Sequence, residues 1–409
     1  MIAARLDAGN GVEHLLKFMA DDPEPSSDLI SRKRGGPLTI LQILPSLIGG
    51  GAERGALDVA AAIQRAGGRA IVASSGGPMV RELERSGARH ILLPLASKNP
   101  YTVWRNIARL GRLIVEHQVD IVHARSRAPG WSALSAARRA GIPFVTTFHA
   151  AYGGTSRQKH KYNSVMAQGD RVIAISNFIA EHVSRVYGVP PDVLRTIPRG
   201  IDLGRFSPER VSIERKVKLA LEWNLPDDQP IVLMPARLSR IKGHMVLVEA
   251  LARLKRHDIR CIFAGEDGRK NAYRQELIQL IHDRGLSDVV RIVPQTADMA
   301  AAYSMAAVVV APSLVPEGFG RVPVEAQAMG RPVVASDLGG FRETIVDGVT
   351  GLLVPPGDAA KLAEAISAAL ALTPDELAEI QAEALGNIEA NFTRERMCAA
   401  TLDVYRELA

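Results

Sequence analysis

Cysteine is almost absent: Cys261 and Cys398 are the only two in 409 residues. One lies in an apolar, strand-like run and the other in a late helical stretch. That scarcity excludes a disulfide framework and a cysteine-based metal site, and it points to a reducing compartment. No apolar run reaches the roughly 20 residues that a bilayer-spanning helix needs, and the N-terminus lacks the apolar core of a signal peptide. A cytoplasmic location is therefore expected, with attachment to the inner face of the cytoplasmic membrane as an addition to it. Aromatic residues are only 5% of the chain and no nucleic-acid reader motif occurs, so a nucleic-acid partner is not expected. HExxH, CxxC and a dense Asp cluster are all missing, and the loop residues Asp267 and Asp337 have no evident companions, so no metal site is expected.

Apolar residues are plentiful, at 47% of the chain, and the length suits two domains of about 150 to 200 residues each. Charge is unevenly spread. Residues 36–215 carry 24 basic against 12 acidic side chains, whereas residues 216–409 carry 21 against 26. A positive first half suits an anionic partner, either a phosphorylated substrate or an anionic membrane, or else is a solvated surface with no partner.

Residues 1–35, with DDPEPSSD and SRKRG, read as a flexible extension holding at most one short helix around Val12 to Met19. From residue 37 strands alternate with helices of 10 to 15 residues: strands at LTILQILP, Ala70–Ser74, His90–Leu93, Ile121–His123, Phe144–Phe148 and Arg171–Ile175. Helices are expected over Met79–Ser86, Pro100–Glu116, Trp131–Arg139 and Asn177–Tyr187. A second series starts at PIVLMPARL near Pro230 and includes a helix over Thr296–Tyr303 and a strand at Val308–Val310. This alternation means crossover connections and a parallel sheet in each of two α/β domains, residues 36–215 and 216–384. A helical stretch, 385–409, anchored by Phe392 and Tyr405, would pack back on the first domain. Parallel α/β sheets bind ligands at the carboxyl ends of their strands, so the cleft between the domains is the expected active site.

The distinctive residues occupy those strand ends. In APSLVPEGFGRVPVEAQAMG, Glu317 and Glu325 flank a glycine turn before a short helix expected to open at Pro323. Carboxylates accept hydrogen bonds from sugar or ribose hydroxyls, while glycine N–H groups and a helix start favour anions; alternatively the two acids merely cap a loop and a helix. Arg237 and Lys242 in PARLSRIKGH form either a pyrophosphate clamp or solvated surface, with Arg240 as the surface member of the three. Gly49, Gly50 and Gly51 precede a helix and allow a phosphate to approach, although the loop matches neither GxGxxG nor a P-loop. His149, after the strand Phe144–Phe148, is either a cleft residue or a structural histidine. His123, Arg125 and Arg127 in HARSR stand at another strand end, where the arginines could hold an acceptor or phosphate, and Tyr152, Arg157, Lys159, His160 and Lys161 could form an acceptor-side lid. In residues 97–119, Arg105, Arg109 and Arg112 recur on a helix beside Trp104; the helix either rests on an anionic bilayer or packs its apolar stripe on the protein.

Taken together, PARLSRIKG, GEDG, PSLVPEGFGRVPVEAQAMGRPVV, SDLGGFRETIVDG, TGLLVPPGD, GGGAER, TTFHA, RVIAISNFIAEHV and IPRGIDLGRFSP resemble the retaining, GT-B-fold glycosyltransferases of the GT4 family, also called group 1. The resemblance runs almost continuously over residues 37–358. It implies two Rossmann-like domains facing a cleft and a UDP- or GDP-sugar as donor, with no cofactor and no metal. It assigns Glu325 to the ribose hydroxyls and Glu317 to the transferred sugar. Arg237 and Lys242 would hold the diphosphate with the N–H groups of Gly318, Phe319 and Gly320 and the Gly50–Gly51 loop, and His149 would sit beside the donor sugar. Departures are Arg199, where many relatives carry Asn, the HARSR segment, and the N-terminal extension. The expected reaction is hexosyl transfer, with retention, to a lipid-linked or polysaccharide intermediate. A small soluble acceptor is the alternative, and a non-catalytic nucleotide-sugar-binding protein a further one.

Overall fold

The computed structural model describes residues 36–153, 156–225, 229–266, 272–294 and 296–409. The helix expected around Val12 to Met19, the rest of the N-terminal extension and Asp267 lie outside them.

The first unit is a seven-stranded parallel sheet in the order β3-β2-β1-β4-β5-β6-β7. Its strands are β1 (Thr39–Ile43), β2 (Arg69–Ser74), β3 (Arg89–Leu92), β4 (Ile121–Ala124), β5 (Phe144–Phe148), β6 (Arg171–Ala174) and β7 (Leu194–Thr196). β1, β4 and β5 are buried along their whole length. This burial explains why they read as unbroken apolar or β-branched runs: helices cover both faces of a parallel sheet. The helices are α1 (Gly51–Arg65), α2 (Val80–Arg85), α3 (Pro100–Glu116), α4 (Arg127–Ala140), α5 (Arg157–Asn163) and α6 (Asn177–Tyr187). α4 begins four residues before the expected Trp131, because Ser126 is still extended and Arg127 already opens the first turn.

The second unit has α7 (Ile213–Glu222), β8 (Ile231–Met234), α8 (His244–Leu254), β9 (Arg260–Ala264), α9 (Ala272–Asp283), β10 (Val290–Val293), α10 (Met299–Met305) and β11 (Ala306–Ala311). It continues through α11 (Arg321–Ala328), β12 (Val333–Ser336), α12 (Phe341–Thr344), β13 (Leu352–Val354), α13 (Ala359–Leu370) and α14 (Pro374–Asn391). Its parallel sheet has the order β10-β9-β8-β11-β12-β13. Both units are therefore doubly wound Rossmann-like sheets, and the strand order reverses between β1 and β4 in one and between β8 and β11 in the other.

The division between the units differs from the sequence reading. Among the described residues the second unit spans Ile201–Thr393, and the first takes residues 36–200 together with Arg394–Ala409, rather than breaking at 215 and 384. Ile201 pairs with Thr393 in a parallel bridge, which ties residues after 200 into the second unit before α7 begins. The stretch from 385 is two helices, not one. α14 starts at Pro374 with a Thr373–Glu376 capping box and stays with the second unit, where Gln381 donates to the Gly330 carbonyl at 2.8 Å. α15 (Arg394–Leu408) lies against α1, with Cys398, Leu402, Val404 and Tyr405 in the core of the first unit. The two aromatic anchors thus serve different cores: Phe392 meets Phe319 edge-on, with ring centroids 5.6 Å apart, whereas Tyr405 sits beside His123.

Candidate functional site

In the second unit the loops after β8 and β11 flank the point where the strand order reverses, the position at which open α/β sheets take ligands. After β8 the chain passes Arg237 and turns through a short 3₁₀ segment, Arg240–Lys242, into Gly243 at φ +82°. A side chain at Gly243 would collide with the Pro312 carbonyl oxygen, so only glycine lets this loop close on the end of β11. The Leu314 N–H donates to the Ile241 carbonyl at 2.8 Å and fixes the approach. The consequence is chemical: Lys242 Nζ lies 2.5 Å from Glu317 Oε1, and Ser313 Oγ donates to the same oxygen at 2.7 Å. The backbone of Glu317 is held from its other side, where its carbonyl accepts from the Gly340 N–H at 2.8 Å.

Arg237 is exposed and has no hydrogen-bond or ion-pair partner among the described residues. Arg240 turns away to pair with Glu276 and lies over the Tyr273 ring, 5.3 Å from its centroid. Gly318, Phe319 and Gly320 lead into α11, whose N-terminal end carries partial positive charge. Phe319 is buried, its ring against Phe392. α11 opens at Arg321 rather than at the expected Pro323, so Glu325 lies two residues, about half a turn, deeper than the sequence suggested. Glu325 is 7% exposed, and its carboxylate accepts from Tyr303 Oη at 2.9 Å and pairs with Arg321. Ser313, Tyr303 and Arg321 were not singled out in the sequence; the i, i+4 spacing of Arg321 and Glu325 was the one available signal.

In the first unit Gly49 and Gly50 have φ of 153° and 137°, and Gly50 caps the N-terminus of α1. This exposed loop lies at the strand-order reversal beside β4. His149 follows β5 and is half-buried; its Nδ1 lies 2.8 Å from an Arg199 guanidinium nitrogen. Burial, then the charges of Arg199 and Arg125, hold the His149 pKa well below the ordinary imidazole value.

The HARSR segment separates into inner and outer members. His123 is fully buried and both ring nitrogens are engaged, with Tyr405 Oη at 2.6 Å and Thr147 Oγ1 at 2.7 Å. Arg125 is buried too, donating to Gln42 Oε1 at 2.6 Å. These two are core groups and do not present themselves to an acceptor, contrary to the expectation for Arg125. Arg127 is half-buried at the start of α4, where it donates to Asn163 Oδ1 at 2.9 Å and lies 4.1 Å from the Tyr152 ring centroid. Arg157, Lys159 and Lys161 are exposed on α5, and the His160 ring stacks on Tyr187 at 5.0 Å.

On α3 the buried face holds Leu110 and Ile114 together with the polar Asn106, and the helix packs on α4. Arg109 folds back to Asn106 Oδ1 at 2.8 Å, while Arg105 and Arg112 stay exposed with Tyr101 and Trp104. Among the described residues no group of three or more His, Cys, Asp or Glu is placed to hold a metal ion, and no helix is long and apolar enough to cross a membrane.

Two family models match the chain. One, described as "Glycosyl transferases group 1", covers residues 218–385, and one described as "Glycosyltransferase Family 4" covers residues 49–205. A D-inositol 3-phosphate glycosyltransferase of Xylanimonas cellulosilytica is 34% identical over 304 residues, 70% of this chain and 72% of the relative. A solved glycosyltransferase of Rickettsia africae superposes with a TM-score of 0.83 at 35% identity, covering 91% of this chain and 98% of that one. A sucrose-phosphate synthase of Thermosynechococcus elongatus superposes with a TM-score of 0.77 at 26% identity, covering 91% and 99%.

Proposed function

The chain belongs to the group 1 glycosyltransferases, retains their GT-B-type architecture of two Rossmann-like domains, and on that footing we propose that it moves a hexosyl unit from a UDP- or GDP-sugar to a hydroxyl of a small soluble acceptor, with retention. The observation that carries the donor half is the Lys242–Glu317 pair, held at the strand-order reversal beside exposed Arg237 and the start of α11. As the anomeric C–O bond breaks, positive charge develops on the sugar ring and negative charge on the leaving phosphate. Lys242, Arg237 and the N–H groups of Gly318 to Gly320 stabilise the phosphate, Glu317 takes hydroxyls of the transferred sugar, and Glu325 takes those of the ribose. The Gly50–Gly51 loop gives the diphosphate further N–H groups, and His149 borders the reacting sugar. Attack comes from the face the phosphate leaves, with that phosphate accepting the acceptor's proton. No metal takes part in this scheme.

Support for a soluble acceptor comes from the relatives, whose names carry a phosphorylated polyol and a phosphorylated sugar. Arg127 suits a phosphate on such an acceptor, because its described contacts are an amide and an aromatic ring. The reading is tested by measuring UDP and GDP release from a panel of nucleotide sugars with phosphorylated and unphosphorylated polyols and sugars. Release that depends on a soluble acceptor supports it; release only with membrane lipids sinks it.

A lipid-linked acceptor is the second reading, favoured by the exposed Tyr101, Trp104, Arg105 and Arg112 on α3. Under it the enzyme sits on the inner face of the cytoplasmic membrane; under the first it works in the cytoplasm. Sedimentation with anionic vesicles, lost on neutralising Arg105 and Arg112, would move the balance to the second.

A further inference from the structure

We infer that Arg199 is a positioning residue that holds His149 as the neutral tautomer protonated on Nε2, so that the imidazole serves the transfer reaction as a hydrogen-bond donor and not as a base. The inference rests on the reading above that His149 borders the reacting sugar.

The sense of the contact is fixed by chemistry. A guanidinium carries five N–H donors and no acceptor, so at 2.8 Å Nδ1 of His149 must offer its lone pair. A neutral imidazole whose Nδ1 accepts carries its proton on Nε2. To act as a base, Nε2 would need the lone pair and Nδ1 the proton, which sets one N–H against another across the Arg199 contact.

The surroundings act in the same sense. The groups that bear on His149 are Arg199 from the segment after β7, Arg125 from just after β4 and His123 from β4, and no carboxylate is among them. Tyr152, on the same loop, adds a phenol that burial keeps protonated. An imidazolium is therefore opposed by both desolvation and like charge. Meanwhile Nε2 is shut off from water and has no hydrogen-bond partner among the described residues. A buried donor left without an acceptor is unfavourable. A hydroxyl or ring oxygen of a bound sugar is a ligand that would satisfy it, and an oxygen of that kind accepts without any proton changing hands.

The test is spectroscopic first and kinetic second. Long-range ¹H–¹⁵N correlation spectra of the labelled full-length protein, with the His149 ring assigned through His149→Gln, report the tautomer directly. The expected wild-type pattern is protonated Nε2 and unprotonated Nδ1, unchanged from neutral into mildly acidic pH. Arg199→Met removes every donor and should give a tautomer mixture, whereas Arg199→Lys should restore the wild-type pattern. In turnover assays Arg199→Met should lower kcat about 10-fold with little change in the donor KM, a loss the size of one charge-assisted hydrogen bond, and Arg199→Lys should recover most of it. A wild-type ring protonated on Nδ1 overturns the inference without needing any variant to fold. So does a tautomer indifferent to Arg199→Met, or a kcat indifferent to it. Failure of the underlying reading looks different: a locked tautomer in an enzyme whose turnover survives His149→Gln unchanged.

Discussion

Replacing Lys242 with Met keeps most of the side chain's length and removes its charge and its donors. In the structure that ammonium is 2.5 Å from Glu317 Oε1, and the two side chains are 23% and 25% exposed. Two costs follow, and they differ in size. For folding, a partly buried pair loses one member, but Glu317 keeps its bond from Ser313 and some access to water, so the loss is about 1 kcal/mol. For catalysis, the proposed function makes Lys242 a preorganised donor aimed at charge that develops on the leaving phosphate in the transition state. Removing such a group costs about 2.7–4 kcal/mol, or roughly 100- to 1,000-fold in kcat. Steady-state nucleotide release with saturating acceptor, set beside thermal unfolding of the same preparations, separates the two. A double-mutant cycle with Glu317→Gln adds a sharper reading: if the pair acts as a unit, the double variant should be far less impaired than the product of the single losses. A Lys242→Met enzyme that unfolds like wild type and retains more than about a third of its kcat would refute the assignment of Lys242 to the leaving phosphate.

Tyr405→Phe deletes the buried hydroxyl 2.6 Å from His123 Nδ1, and should cost the first unit about 1–3 kcal/mol, seen as an earlier thermal transition. His244 is fully buried at the start of α8, and burial lowers its pKa from 6.5 to about 4. Its unfolded form therefore takes up a proton first. The stability held by the neutral ring is present above pH 6.5 and is lost as pH falls toward about 4, in total about 3 kcal/mol, which urea titrations of wild type and His244→Phe across that window would measure. Turnover should survive a chelator at full rate; loss on chelation, restored by a divalent cation, would contradict the metal-free scheme.

Much of the fold was legible because its strongest elements are locally unambiguous. Phe144–Phe148 and Asn177–Tyr187 have the boundaries read from the sequence, the first a strand buried on both faces and the second a helix ended by Gly188 in the left-handed region. β7 and β13, of three residues each, went unseen, since three residues establish no periodicity and both are edge strands. The break at Phe392 was hidden because no glycine or proline marks it; α14 and α15 are separated by two residues, and which core each helix joins depends on tertiary contacts. HARSR misled for a related reason. Alternation along a strand end says that His123 and Arg125 share a face, but whether that face meets solvent or α15 is decided by a helix almost 270 residues later in the chain.

The two carboxylates of the PEGFG segment show how far residue type under-determines role. In sequence Glu317 and Glu325 are equivalent acids eight positions apart. In the structure Glu325 has one donor on each oxygen, Tyr303 on Oε2 and Arg321 on Oε1, within a site that burial has nearly closed. Its orientation is set before any ligand arrives, and its remaining lone pairs suit recognition of a fixed pair of hydroxyls. Glu317 has both of its described donors, Lys242 and Ser313, on Oε1, and none among the described residues on Oε2. One oxygen meets the ammonium and, under the proposed function, the other takes a sugar hydroxyl, which would make Glu317 the link between the phosphate clamp and the transferred group. Substitutions should divide accordingly. Glu325→Gln should raise the donor KM with kcat nearly intact, because ribose is bound equally in ground and transition states, whereas Glu317→Gln should lower kcat. Equal effects of the two changes on kcat would mean that the different environments of the carboxylates do not translate into different roles.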